Sequence, residues 1–526
     1  MKIEQAAAKV TDLKDGEMKE VTVGETKVLL ARVNGKFHAV AGLCTHYGGP
    51  LPEGVLSGHK IICPWHQAQF SLLTGDLEEP PALDAVPRFD VRIEGDNVVV
   101  AVPEGTTAKR TPSMARHDPR ADGRTFVILG TGAAGNAAAE TLRQDGFQGR
   151  VVMVSQENRL PYDRPALSKG YMHGATSADA LPLRSEEFYN NHDIEVLLGQ
   201  RVIDVSISAR RVGFENGPSL KYDALLLATG GTPRRPQLPG ANLENVLTLR
   251  SFDDASRIAG AAKPGLHAVV MGASFIGMEI ASSLTRLGLS VTVVAPENVP
   301  FERTLGEQIG AMWQQVHEKR GVTFLLGSTV ARIEGSHKVK SVVLGDGKQL
   351  KADLVVIGIG VRPATEYLRD VKLSPDGSVP VDGFLRVRED VYAAGDIASF
   401  PDWRSGQPIR IEHWRLAEQH GRIAAHNMAG RKVQFTSVPF FWTEQFEVYF
   451  QYVGHATTWD DVIFHGDVSK RKFVAFYVKD NKIVGTAGCN RDVQIAAAGE
   501  LMRINRLPTP EELRGGPIDL VERLKR

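Results

Sequence analysis

Cys44, His46, Cys63 and His66 constrain this chain more than any other residues, because they arrive as two matched pairs, Cys-Thr-His and Cys-Pro-Trp-His. Each stretch offers one thiolate and one imidazole, and sixteen residues (47–62) separate His46 from Cys63. A site built from two such loops has two sulfur and two nitrogen ligands. A binuclear iron–sulfur centre needs that donor set when histidines replace cysteines on one of its irons. A structural Cys₂His₂ zinc site is the competing reading. Zinc fingers, however, draw a C-x₂₋₄-C pair from one loop and an H-x₃₋₅-H pair from another, whereas here each loop supplies one ligand of each kind.

The flanking sequence, AGLCTHYGGPL and CPWHQAQFSLLTGD, resembles the Rieske ferredoxin family. Pro64 and the Gly48-Gly49 pair suit tight loops folded over a cluster, since proline presets φ and glycine tolerates positive φ. Two departures stand out. Gly49 and Trp65 occupy the places where some Rieske proteins carry an additional disulfide, and Gln67 stands where the family often has glycine. Without that brace the potential is expected toward the low end of the Rieske range of about −150 to +300 mV, as suits an electron carrier.

The whole chain is long enough for several domains, 526 residues. Lys+Arg and Asp+Glu both total 62, so no bulk charge argues for nucleic acid or an anionic membrane. Of three cysteines only Cys489 is left over, which excludes a disulfide framework and favours a reducing, cytoplasmic setting. The start of the chain lacks the apolar segment of a signal peptide, and no run of about eighteen apolar residues suggests a membrane span.

Residues 1–103 are short alternating runs split by turn signals, with hairpins expected at Asn34-Gly35 and between Glu94 and Asn97: an all-β module. Residues 104–123, rich in Thr, Pro, Arg and Asp, read as a linker. FVILGTGAAGNAAAETL and HAVVMGASFIGMEIASSL then each pass from strand through a glycine turn into a helix, the plan of a dinucleotide-binding βαβ unit. In the first, Gly130 makes the turn, Gly132 admits the pyrophosphate and Gly135 lets the helix pack, with Glu157 the carboxylate expected on ribose hydroxyls. The second reads Gly272, Ser274, Gly277, with serine in the middle glycine's place. Glu297 follows its second strand and no cation occurs before Arg303, which favours NADH over NADPH.

Five stretches resemble the FAD-dependent pyridine nucleotide–disulfide oxidoreductase superfamily, and within it the ferredoxin reductases and apoptosis-inducing-factor-like proteins. They are LPYDRPALSK (160–169), YDALLLATGGTPRRP (222–236), GIGVRPAT (358–365), VYAAGDIA (391–398) and RIEHWRLAEQHGRIAAHNMAG (410–430). The combination with the N-terminal module resembles Rieske-containing apoptosis-inducing-factor-like flavoproteins. It implies a multidomain architecture: an all-β Rieske domain (1–103), a linker (104–123), a Rossmann-like FAD domain (124–250 and 379–432), a Rossmann-like NAD(P) domain (251–378) and an α+β C-terminal reductase domain (433–526). The resemblance puts Asp396 on the FAD ribityl chain, Arg164 and Lys169 beside the isoalloxazine, and Gly360 in the nucleotide site. It also implies a Lys169–Glu279 pair, with Glu279 on the first turn of the second helix, and aromatic neighbours of the flavin at Trp414 and Trp442. Packing or solvated roles for Glu157, Trp414 and Trp442 stay open at this point.

No C-x₄-C is present, which excludes dithiol chemistry beside the flavin. The expected activity is therefore NAD(P)H oxidation through FAD to the cluster and on to an external acceptor, such as an oxygenase, ferredoxin, cytochrome or quinone. An oxidase or quinone reductase with an accessory cluster is one alternative, and a nucleotide-switched interaction protein another. The oligomeric state is open.

Overall fold

A computed structural model describes residues 1–525. The N-terminal module is a six-stranded antiparallel sheet in the order Lys2–Lys9, Asn97–Pro103, Arg88–Glu94, Lys36–Ala41, Thr26–Val33, Met18–Val23. The expected hairpin closes at Val33 and Lys36, where Asn34 (φ 51°) and Gly35 (φ 74°) take the left-handed values a two-residue turn requires. A second sheet of four short strands, from Val55–Ser57 to Leu77–Glu79, carries the Cys63–His66 loop between its second and third members.

The first nucleotide unit is a parallel sheet in the order Ile194–Leu197, Arg150–Val154, Thr125–Leu129, Ala224–Leu227, Val391–Ala393, with Arg386–Arg388 added antiparallel. The run VVMV is buried throughout because helices cover both faces of such a sheet. The second unit repeats the plan in five parallel strands, Val246–Thr248, Leu354–Ile357, His267–Met271, Ser290–Ala295 and Thr323–Leu326. The C-terminal unit is a five-stranded antiparallel sheet, Phe440–Gln445 to Lys482–Cys489, backed by the Asp492–Arg503 helix.

The N-terminal module is bonded firmly to the rest. Val55 and Ile62 share one apolar core with Val438, Phe440, Ile495 and Leu501. Arg415, on the Trp414–Met428 helix, is buried and donates to the carbonyls of Pro80 (2.7 Å) and Gln67 (3.0 Å). Arg184 bridges Asp84 of the β module (2.7 Å) and Glu140 of the Ala133–Gln144 helix (2.9 Å), all three buried. Segment 104–123 is laid down along this seam: Arg110 pairs by backbone with Ala85, and the Ala115 and Asp118 amides donate to Arg143 and Gln148.

Candidate functional site

His46 and His66 present their Nδ1 atoms to each other at 3.1 Å, and Cys44 and Cys63 are hydrogen-bonded neighbours. Sulfur is thus paired with sulfur and nitrogen with nitrogen. Two imidazole nitrogens about 2.1 Å from one metal ion at near right angles would lie about 3 Å apart, so the two rings fit one iron of a binuclear centre and the two thiols the other. Burial drives His46 down to about 4 and lowers His66 as well, which keeps both imidazoles neutral, the form that ligates. The loops are tight: a Cβ on Gly49 would lie 2.9 Å from Cys63 Sγ, so a side chain there would have to displace its neighbours. Gln67 takes φ 59°, keeping the turn its glycine counterpart would make.

Facing these loops is a cavity of about 1140 Å³ shared by both nucleotide units and the C-terminal sheet. At its floor the Ala133–Gln144 helix begins without a side-chain cap, leaving its first N–H groups free for a phosphate. Gly132 opens onto it: a Cβ there would meet no protein atom within 4 Å. A Cβ on Gly135 would lie 1.9 Å from the Gly130 carbonyl, so glycine is obligatory for the helix to pack on the turn. That cradle fits a dinucleotide. Glu157 lines the cavity and accepts from Tyr162 Oη (2.6 Å) and Arg164 (2.9 Å), so its carboxylate is held ionised with lone pairs to spare. Asp396, paired with Arg250 at 2.9 Å, lines it too.

Lys169 Nζ lies 2.8 Å from Glu279, whose other oxygen accepts from Thr443 Oγ1 at 2.7 Å and which Ser168 also bonds. Glu279 is buried and is the fifth residue of the Phe275–Arg286 helix, not in its first turn, so helix-end acid preference does not explain it. In the second nucleotide unit Ser274 is the uncapped N-terminus of that helix and lines the cavity. Gly272 and Gly277 are tight packing positions, and Gly360 (φ 91°) lies at the rim. Glu297 lies off the cavity wall, 3.3 Å from the exposed Arg303.

Arg164, which the resemblance puts beside the isoalloxazine, lines the cavity and donates to Glu157 (2.9 Å) and to the Arg250 carbonyl (2.6 Å). Of the two tryptophans, Trp442 and not Trp414 stands between cavity and cluster loops. Its ring is 4.5 Å from that of His66 and 6.5 Å from that of His46, and it lines the cavity. Trp414 also lines the cavity, with its side chain bonded to Glu418. Sequence reasoning missed Thr443, and Ser168, which lies inside the LPYDRPALSK stretch but was given no role there. It also gave no role to His413, whose buried Nδ1 has no protein partner and which lines the cavity.

Residues 4–90 match the Rieske [2Fe-2S] domain, residues 124–421 the family Pyridine nucleotide-disulphide oxidoreductase, and residues 440–524 the Reductase C-terminal family. The chain is 40% identical over 515 residues to apoptosis-inducing factor 3 of Homo sapiens, covering 96% of this chain and 84% of that protein. It is 32% identical to rhodocoxin reductase of Rhodococcus erythropolis over 75% of this chain and 93% of the relative. Among solved structures, the covalent putidaredoxin reductase–putidaredoxin complex superposes with TM-score 0.73 at 28% identity, over 76% of this chain and 98% of that one. The ferredoxin reductase for the CYP199A2 system of Rhodopseudomonas palustris gives 0.71 at 31%, over 74% and 97%.

Proposed function

The chain belongs to the pyridine nucleotide-disulphide oxidoreductase family, and from that premise we propose that it oxidises NADH and delivers the electrons, through its own [2Fe–2S] centre, to an external acceptor. FAD would supply the conversion of a two-electron hydride into single electrons, and the cluster a one-electron station. One observation carries the reading: Trp442 belongs at once to the wall of the FAD-sized cavity and to the contact surface of His66, with 4.5 Å between ring centres.

The chain's own residues have separable tasks. The free N–H groups after Gly132 would hold the pyrophosphate, and Glu157 and Asp396, which line the cavity, would accept from sugar and ribityl hydroxyls. Lys169 would supply a positive charge beside the bound flavin, and Glu279, fixed by Ser168 and Thr443, keeps that ammonium in place. Trp442 fills the space between cavity and cluster loops and excludes water from it. NADH is favoured over NADPH because the second strand is followed by the carboxylate of Glu297 and no cation occurs before Arg303. The scarcity of cysteine supports a cytoplasmic site of action, and among the described residues no helix is long and apolar enough to cross a membrane.

His66→Ala tests the order of stations. Anaerobic stopped-flow should show flavin bleaching by NADH at close to the wild-type rate, while reduction of a one-electron acceptor falls at least tenfold. Acceptor reduction at the wild-type rate would mean that electrons leave directly from the flavin, as in an oxidase or quinone reductase. Absence of NADH turnover in the wild type would leave only a nucleotide-binding interaction protein.

A further inference from the structure

The docked β module offers its imidazole edge to Trp442, so an acceptor has to approach from another side. Cys63 itself is buried, but an exposed ring lies beside it. Trp65 lies against the ligand loop, since a Cβ on Gly49 would touch both Cys63 Sγ (2.9 Å) and the Trp65 ring (3.1 Å), yet its side chain is 41% exposed. Trp65 does not stand alone. Gln451 Nε2 donates to the Pro64 and Trp65 carbonyls (2.9 and 2.8 Å), tying the loop to the Val448–Gly454 strand. Two residues along, on the same face of that strand, Tyr449 is 50% exposed. Its cross-strand partner is Glu444, close enough for the carboxylate to act on its hydroxyl. Asp492 opens the backing helix within electrostatic reach of both Tyr449 and Cys63. Neither Glu444 nor Asp492 has an ion-pair partner among the described residues, whereas nearby Glu447 is neutralised by Arg286 and Arg320.

We propose that the Trp65–Tyr449 face, rimmed by Glu444 and Asp492, is the docking surface for a one-electron redox protein with a basic rim, and that electrons leave through it while the imidazole edge stays docked on Trp442. The proposal rests on the relay reading above. Exposed aromatics supply the apolar centre typical of an interface, and the unpaired carboxylates select a cationic partner and speed its arrival. The transfer itself is a single electron from the reduced cluster to the oxidised partner, with no bond made and no proton moved.

Oxidised cytochrome c, a basic haem protein, is the probe. Its binding to the immobilised holoprotein at low salt should weaken at least fivefold in Trp65→Ala, Tyr449→Ala and Glu444→Gln, and should weaken in the wild type as salt rises. Its reduction under NADH should slow in parallel, while NADH-driven bleaching of flavin and cluster keeps its wild-type rate. If the cluster is never reduced by NADH, the relay reading fails. If it is reduced normally and all three variants bind and reduce cytochrome c like wild type, the docking proposal alone is overturned. Should Trp65→Ala lose the cluster's absorbance, Tyr449→Ala and Glu444→Gln, outside the ligand loops, decide the matter by the same criteria. Loss of cytochrome c reduction with unchanged binding also overturns it.

Discussion

Arg184→Met removes the guanidinium that joins the β module to the FAD unit. Its loss strands two buried carboxylates, and breaking a buried ion pair from one side costs about 3–5 kcal/mol. The structure argues for the lower figure. Asp84 keeps Lys109 at 3.0 Å, and Glu140 keeps the Asn136 amide at 2.9 Å, so neither is wholly abandoned. About 3 kcal/mol is roughly two decades in the ratio of docked to undocked module. Tryptic cleavage at Lys109, Arg110, Arg116 or Arg120 tracks the open population when reclosing is fast, so cleavage in segment 104–123 should accelerate by up to ~100-fold. Cluster reduction should lag, with hydride uptake by the flavin unchanged. Adding Asp84→Asn and Glu140→Gln removes the stranded charges and should restore most of the protection. Cleavage within twofold of wild type in Arg184→Met would show that the apolar seam alone holds the module and that the three-residue bridge contributes nothing to docking.

Lys169→Met should slow flavin reduction by NADH by about 10²-fold, the usual loss on removing one preorganised electrostatic group, with the cluster's spectrum intact; a rate within threefold of wild type would separate Lys169 from hydride arrival. Glu418, buried on the Trp414–Met428 helix beside Asp163, has its carboxyl pushed well above the ordinary 4.5, first by burial and then by Asp163, with Arg415, Arg422 and the Trp414 bond opposing. The folded chain therefore holds a proton that the unfolded chain releases above that value. The penalty is absent in acid and grows as pH rises from about 4.5 toward the folded value. Glu418→Gln should accordingly raise the apparent Tm more at pH 8 than at pH 5, and an equal gain at both would refute the assignment.

The ligand loops were legible because chemistry leaves so few substitutes for a Cys-x-His and Cys-x-x-His pairing. Gly130 and Gly135 were legible for the same reason, since backbone contacts of 2.1 and 1.9 Å admit no Cβ, whereas Gly132 was legible because it opens onto the cavity where a phosphate would approach. Lys169 and Glu279, 110 positions apart, were joined only through resemblance; no periodicity connects them. The docking seam was silent. Arg184, Arg415 and Gln451 are ordinary charged or amide residues on a helix, a strand or a loop, and what makes each of them matter is a carbonyl or carboxylate a hundred or more positions away. A polar residue whose partner is distant in sequence has no local signature. Segment 104–123 shows the same limit, since its composition reports weak apolar content but not the backbone pairing at Ala85 that pins it.

Gln67 carries a consequence for how such a protein is inherited. A side chain at φ 59° costs about 1–2 kcal/mol that glycine would not. Its carbonyl is held by Arg415, and its buried amide lies over Gly499, where a Cβ would come within 3.2 Å of Oε1. Those partners belong to other domains. Severed after residue 103, the β module would keep the strained turn and expose Val55 and Ile62, while losing everything that compensates for them. A ferredoxin that meets its reductase by diffusion can be shuffled between genomes and recruited by new reductases. This one shares a core and buried hydrogen bonds with its reductase, so it is not built as a separable carrier.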